Sequence, residues 1–410
     1  MNVSSLTSEI IRRRSLFFLT FFLVIFSYDS ALSWIRFNRF QTSGVVILVI
    51  FMVWLLMTCF GLRIRIKVLG LGLWYLSLVL VSILLNQDFS PEGVVIISKI
   101  LVAFMFVHLV SLEEFSDCYV STMRILCVYS LVATYVLRYV LDAYELVPMV
   151  LNWEGTPFYD FGLTYVIGWL GFVRNFGIFR EPGVYQFYIT IALALELFFF
   201  KRTNRVNVLI FLLTMLSTFS VVGIAQALVL VAMSLVNNKV KRDILAPTLI
   251  VIGGTVVFGH LNRAFTRTLL LGLEKVTTMD GAMGVRYLGI VSALQAWLEK
   301  PFFGHGPNHG LVVVITEYMD QVTVHLTGTL TIMLVTLGIV VALSCCWCLI
   351  SLVLKSHQKG VSSFVLLAVI LTSISSQNLV YNDILWVLLF LPFSRERRLD
   401  ITNVLKEIKG

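Results

Sequence analysis

Charge is what this sequence has least of. Only 13% of its 410 residues are Asp, Glu, Lys or Arg, whereas 58% are hydrophobic. Soluble domains run near ~25% charged, so the chain lacks the polar surface to coat a water-soluble body of its size. Cysteine is sparse as well. Cys59, Cys118, Cys127, Cys345, Cys346 and Cys348 all sit in or beside apolar runs, without a loop framework of pairs and without zinc spacing. Internal repeats, low-complexity tracts and a separate soluble domain are missing. The net charge of +8 is not a nucleic-acid signal, because the basic residues gather at the ends of apolar runs, where membrane topology accounts for them.

What is present is a series of apolar runs, continuous rather than alternating. A bilayer takes ~20 residues per helix, and backbone groups in lipid must bond internally. The runs therefore read as helices, and the chain as an all-α polytopic membrane protein, a single domain over 1–410. About twelve spans are expected, near 15–33, 44–61, 67–85, 93–110, 118–140, 184–200, 206–220, 223–236, 244–260, 326–353, 361–377 and 383–393. Arg12, Arg13 and Arg14 precede the first run, which is too long for a signal-peptide core and reads as an uncleaved span.

Orientation follows from Lys and Arg. With both termini in the cytoplasm, nineteen of the 31 basic residues fall in inner segments and ten in outer ones, Lys99 and Arg124 being inside spans. The segment 206–236 is short for two spans. Read as one, it would put Lys239, Lys241 and Arg242 outside, so two short helices joined near Ser220–Gly223 fit better. Two long loops, 141–183 and 261–325, then lie outside. Loops above ~12–15 residues are usually functional or disordered. The first holds Phe158, Tyr159, Phe161, Tyr165, Trp169, Phe172, Phe176 and Phe179, a density that suggests helices lying on the membrane. Both loops are expected to be partly helical.

The candidate chemistry lies in these loops. Around 172–186 the sequence places Arg174, Arg180 and Glu181 before Pro182, which suits the first turn of a helix. A helix amino end attracts anions, and Arg180 would add charge-assisted bonds. Alternatively, Glu181 caps the helix and pairs with an arginine. In the second loop, Arg286 is followed by Pro301-Phe-Phe-Gly304-His305-Gly306-Pro307-Asn308-His309-Gly310, and His325 precedes the tenth span. Such a turn could bind metal, accept a proton or hydrogen-bond a sugar, or serve structure alone. No Asp-x-Asp pair occurs in the outer loops, so a metal-dependent nucleotide-sugar site is not expected. Lys99, Arg124, Asp29 and Glu196 are ionisable groups in or near spans, functional candidates by default, with a structural role the more frequent outcome.

The stretch Gly177-Ile-Phe-Arg-Glu-Pro-Gly-Val-Tyr-Gln resembles the O-antigen polymerase and ligase superfamily, nearest the Wzy-type polysaccharide repeat-unit polymerases. Members typically show an Arg, then Gly-x-Phe-x-Glu-Pro, matched here by Arg174 and Gly177–Pro182. Later come an Arg-bearing helix and a Pro-x-x-Gly-x-Gly turn, matched by Arg286 and Pro301–Gly306. The following span, rich in Gly and Leu up to Gly338, is also similar. Ligase relatives usually carry His-Asn where this chain has His325-Leu326, which favours the polymerase side.

The resemblance implies polymerisation of undecaprenyl-pyrophosphate-linked oligosaccharide units into O-antigen or capsular polysaccharide. The enzyme would be a metal-independent membrane glycosyltransferase of the bacterial cytoplasmic membrane, without a cofactor. Its partners would be the lipid-linked glycans, the bilayer and a chain-length regulator, with no nucleic acid. Arg174, Arg180 and Arg286 would hold pyrophosphate. Glu181, His325 or His305 would act as base or acceptor positioner, with Asn308, His309 and Tyr185 facing the glycan. A ligase acting on lipid A core, and a transporter or flippase for the same lipid-linked sugars, are the alternatives.

Overall fold

The structure, a computed structural model, describes residues 3–33, 39–59, 64–140, 146–151, 157–167, 174–236, 245–254, 282–317, 328–357 and 360–395, with backbone alone at 3–10, 39, 138–140, 167 and 282–286. Helices dominate. They are α1 (Val3–Ile25), α2 (Arg39–Cys59), α3 (Ile66–Asn86), α4 (Pro91–Leu109) and α5 (Leu112–Leu131), the last continuing as a π-helical stretch, Val132–Val140. After a small sheet come α6 (Pro182–Phe198), α7 (Arg205–Ser217), α8 (Val221–Val236) and α9 (Leu245–Gly254). Then follow α10 (Ala282–Glu299), α11 (His309–Glu317), α12 (Thr329–Leu337), α13 (Ile339–Leu354), α14 (Val361–Ser375) and α15 (Asp383–Phe390).

Four of these are long and apolar enough to cross a membrane: Phe40–Cys59, Ile66–Asn86, Pro91–Leu109 and Leu112–Leu137. The remaining apolar helices are shorter. As expected, 206–236 is two helices, α7 and α8, turning at Thr218–Ser220. The tenth run is different. A continuous apolar stretch in sequence, it breaks at Gly338 (φ +85°) into α12 and α13. Hydropathy does not see such a break, because both halves are equally apolar.

The local reasons for these helices are in the sequence. Pro91 and Pro182 occupy first-turn positions, where the missing N–H costs nothing. Ser111 and Glu114 form a reciprocal capping box on α5, worth about 1 kcal/mol. Asn382 caps α15 by accepting from Ile384 N and Leu385 N. Glu114 does more than cap. It also takes Arg12 at 2.7 Å and Arg395 at 3.1 Å, so the basic start of α1 and the segment after α15 share one end of the bundle. Arg180 and Asp88 lie at the other end, where α1 finishes and α4 and α6 begin.

The first long loop departs from expectation. Where helices on the membrane were expected, the described residues form a three-stranded antiparallel sheet, β1 (Met149–Leu151), β2 (Pro157–Asp160) and β3 (Tyr165–Ile167). The register pairs Val150 with Phe158 and Phe158 with Ile167. Burial alternates along β2, with Phe158 and Asp160 inward. That period of two suits a half-buried strand, and Phe158 packs edge-on against Phe176. Phe158, Tyr165 and Phe176 form a small core with Ala31, Phe179 joins the main core of the bundle, and Trp169 and Phe172 lie outside the described residues. In the second loop α10 and α11 are helical, as expected.

Candidate functional site

Three non-helical segments meet at the amino end of α6. The first follows α1 and carries Asp29. The second, 174–181, pairs with it as a short ladder: Ala31 N donates to Ile178 O at 2.6 Å and Arg180 N to Asp29 O at 3.1 Å. Asn175 shapes this second segment, since its Oδ1 accepts from Gly177 N at 2.9 Å. Gly177 then adopts φ +55°, and a Cβ there would lie 2.7 Å from the Tyr185 ring. Only glycine fits that crossing. The third segment, 376–382, joins α14 to α15. It is pinned by Thr329, whose Oγ1 donates to Gln377 O and accepts from Leu379 N.

Arg180 is the side chain on which these segments converge. Its Nε lies 3.1 Å from Asp29 Oδ1, an ion pair without hydrogen-bond alignment. Its Nη2 donates to Asn378 O at 3.3 Å and stands 3.7 Å from Glu181 Oε1. Asp29 is held from behind by Asn382, whose Nδ2 donates to Asp29 Oδ2 at 2.7 Å and to Tyr188 Oη at 2.9 Å. One residue on, Asp383 Oδ2 accepts from Lys99 Nζ at 3.0 Å, and Lys99 also donates to Ser43 Oγ. Lys99 sits halfway along α4 and is fully buried, as are Asn382 and Asp383. A chain of charges and amides thus runs from the middle of the bundle to its end. Only there does it meet solvent, with Arg180 22% and Glu181 44% exposed.

Glu181 occupies the N-cap position of α6 without a side-chain cap bond. Its carboxylate is therefore not spent on capping and remains beside Arg180. Arg174 is exposed, and its Nε donates to Thr218 O in the α7–α8 turn. It leans away from the Asp29 node toward that turn. The side chain of Arg286 and the whole of His325 lie outside the described residues.

Tyr185 is a correction. It is completely buried, bonded to Ser130 Oγ at 2.9 Å and to Cys127 Sγ. It props the Gly177 turn and has no surface for a glycan.

The histidine turn is a second, separate centre. His305 is buried, with Nε2 2.7 Å from Ala296 O. Its backbone N–H donates to Val335 O at 2.7 Å, and Gly306 N to Thr336 O at 3.0 Å. The break at Gly338 takes away the helical partners of both carbonyls; Val335 O is satisfied by this turn, and Thr336 O accepts from the Ser82 hydroxyl as well. Ile339 N returns a bond to Pro301 O. As a base, His305 is at odds with this structure, because its ring is enclosed and engaged by a backbone carbonyl. Asn308 and His309 offer their backbone N–H groups to Asp88 Oδ2 at 2.7 and 2.9 Å, which caps α11 from the α3–α4 loop. Burial pushes the Asp88 carboxyl up, but these N–H groups and Ser90 outweigh it and hold it below the usual value. The His309 side chain remains exposed. The two centres are joined by α12, whose Thr329 touches one and Val335 the other, roughly 9 Å apart at 1.5 Å per residue.

Arg124 joins neither centre. It lies on the exposed face of α5 in a shallow apolar groove with Ile125, Val128, Tyr129 and Val132. A larger groove of about 730 Å³, between α3 and α13, has Lys67, Trp74 and Trp347 in its lining and opens toward the end opposite Arg180. Among the described residues there is no group of His, Cys, Asp and Glu arranged to hold a metal ion.

Asp29 was legible only as an ionisable group near a span. Asn382, Asp383 and Asp88 were missed, although Asn-Asp before an apolar octet is a helix-start signal. Fold and site together define a helical protein of membrane type, with a buried charge chain that surfaces at one helix amino end. No family model matches the sequence, and no curated protein matches it.

Proposed function

We propose that the chain is a membrane glycosyltransferase that polymerises lipid-linked oligosaccharide units, with the Arg180 end on the extracytoplasmic face of a bacterial cytoplasmic membrane. The observation that carries this reading is the Arg180–Glu181 pair. It is a guanidinium anchored by buried Asp29 at a helix amino end, next to a carboxylate that caps nothing and is half exposed.

The chemistry asks for little else. The acceptor hydroxyl oxygen forms a bond to the anomeric carbon of the donor glycan. The bond from that carbon to the pyrophosphate oxygen breaks, and its electron pair leaves with undecaprenyl pyrophosphate. Glu181 takes the hydroxyl proton, an effect typically of ~10²–10⁴-fold. Arg180 and the α6 amino end meet the charge that develops on the pyrophosphate, with Arg286 as a further contact to it, whereas Arg174, bonded to the α7–α8 turn, stands apart from this group. The donor carries its own leaving group, so this reaction draws on no nucleotide sugar.

Purified lipid-linked repeat units and purified protein provide the test. Wild type is expected to extend the chain, and Arg180→Ala and Arg286→Ala each to abolish extension. Full-length polymer from both variants overturns the assignment. In cells, surface glycan of single-unit length on deletion supports the polymerase, and loss of all surface glycan supports a ligase.

The transporter reading has one observation in its favour: the buried Lys99–Asp383 pair at the midpoint of α4, beside the non-helical segment that ends at the N-cap Asn382. Transporters use such features near the midplane. Against it, Arg124 stays outside this cluster. Translocation of lipid-linked sugar across proteoliposomes, without chain growth, would establish transport instead.

A further inference from the structure

We infer that Asp29, fixed by Asn382, is the positioning residue that aims Arg180 at the leaving pyrophosphate; this rests on the transferase reading above. Arg180 by itself is a long, flexible side chain at the outer end of the bundle. What fixes it is a carboxylate that is 1% exposed and accepts from Asn382 at 2.7 Å on the oxygen turned away from Arg180. Asn382 is fixed in turn. Its Oδ1 caps α15, and its Nδ2 is shared with Tyr188 Oη. Each oxygen of Asp29 therefore has one assigned direction, one toward the amide and one toward the guanidinium. The negative charge also offsets the cation before substrate arrives. Arg180 is thus held in place without becoming a permanent trap for pyrophosphate, which must leave after each transfer.

The backbone ladder does not depend on this carboxylate. Arg180 N bonds Asp29 O, and Ala31 N bonds Ile178 O, through main-chain atoms alone. Asp29→Asn therefore keeps the loop tethered while it removes the charge. The double variant Asp29→Asn/Asn382→Asp goes further. It restores one carboxylate and one amide to the pair and preserves the α15 cap, but moves the negative charge one residue away from Arg180.

The test uses purified full-length protein and synthetic lipid-linked repeat units, with kcat, KM and thermal stability read for each variant. Asp29→Asn is expected to lower kcat about 10–100-fold, the range for losing a charge-assisted contact at the reacting group, with KM for the acceptor unchanged. Asp29→Glu should recover part of this loss. The charge-moved double variant should regain wild-type melting but not wild-type kcat. Combining Asp29→Asn with Arg180→Lys, which keeps a cation at the site and so a measurable rate, should cost less than the product of the two single losses, because the two act through one group. Recovery of kcat together with melting in the double variant, or losses that multiply in the Asp29/Arg180 pair, would show a purely structural role and overturn the inference. Absence of chain growth in wild type would instead remove the transferase reading, a separate outcome.

Discussion

Two turns in this molecule look alike as sequence and differ as structure. Both 174–186 and 301–310 are glycine-bearing, carry ionisable side chains and enter a helix. At 174–186 the main chain settles its own hydrogen bonds through the ladder with residues 29–31, and the charged side chains of Arg180 and Glu181 are left at the surface. At 301–310 the main chain is spent on welding the broken helix at Gly338, and the most promising side chain, His305, is buried with its ring on Ala296 O. A motif is a candidate for chemistry when its backbone is already satisfied elsewhere. When the backbone is the glue, the side chains are usually filler.

The sharpest way to break this comparison is to exchange the two predicted outcomes. Glu181→Gln should reduce chain growth by ~10²–10⁴-fold, whereas His305→Gln should leave kcat within about tenfold and act on stability. Comparable losses of kcat at equal stability would put the histidine turn back among the catalytic elements. Next in size is the buried pair. Lys99→Met alone leaves Asp383 charged and enclosed, at a cost of ~3–5 kcal/mol, but Lys99→Met with Asp383→Leu should recover most of it. Thermal melting in detergent reads both variants.

Gly304→Ala sharpens the other side. Gly304 has φ +64°, and a Cβ would lie 2.5 Å from Val335 O, so a loss of ~1–3 kcal/mol from backbone conformation alone is expected. Gly70→Ala, where a Cβ meets nothing within 4 Å, serves as the control. The smallest effect concerns pH. The Asp88 carboxyl is held below its ordinary value in the fold, so its contribution is present above the unfolded value of ~3.9 and is lost as pH falls through the folded value. Amide protection at Asn308 and His309, measured against the intrinsic exchange rate at each pH, should fall below about pH 4, and Asp88→Asn should abolish that dependence.

Much of the helical layout was legible because long apolar runs admit few solutions in lipid. The division of 206–236 followed from the charges at Lys239, Lys241 and Arg242. Three features were not legible, for different reasons. The break at Gly338 depends on a turn from far along the chain donating to Val335 and Thr336. The strands at 149–167 were obscured by aromatic density, although Pro157 opens β2 and Gly162, at φ +85°, marks the turn after it. In the site, Arg180 and Glu181 stood out from their dipeptide with Pro182. Asn382 and Asp383 did not, because an Asn-Asp pair before an apolar helix looks like an ordinary cap until Asp29 and Lys99 are seen against it.

Glu114 receives one arginine from α1 and another from just beyond α15. During synthesis the earlier of these is available almost at once, the later only after α15 has been made. This end of the bundle therefore stays half latched until then, and a ribosome stalled or a fusion joined short of Arg395 leaves one side of the latch open.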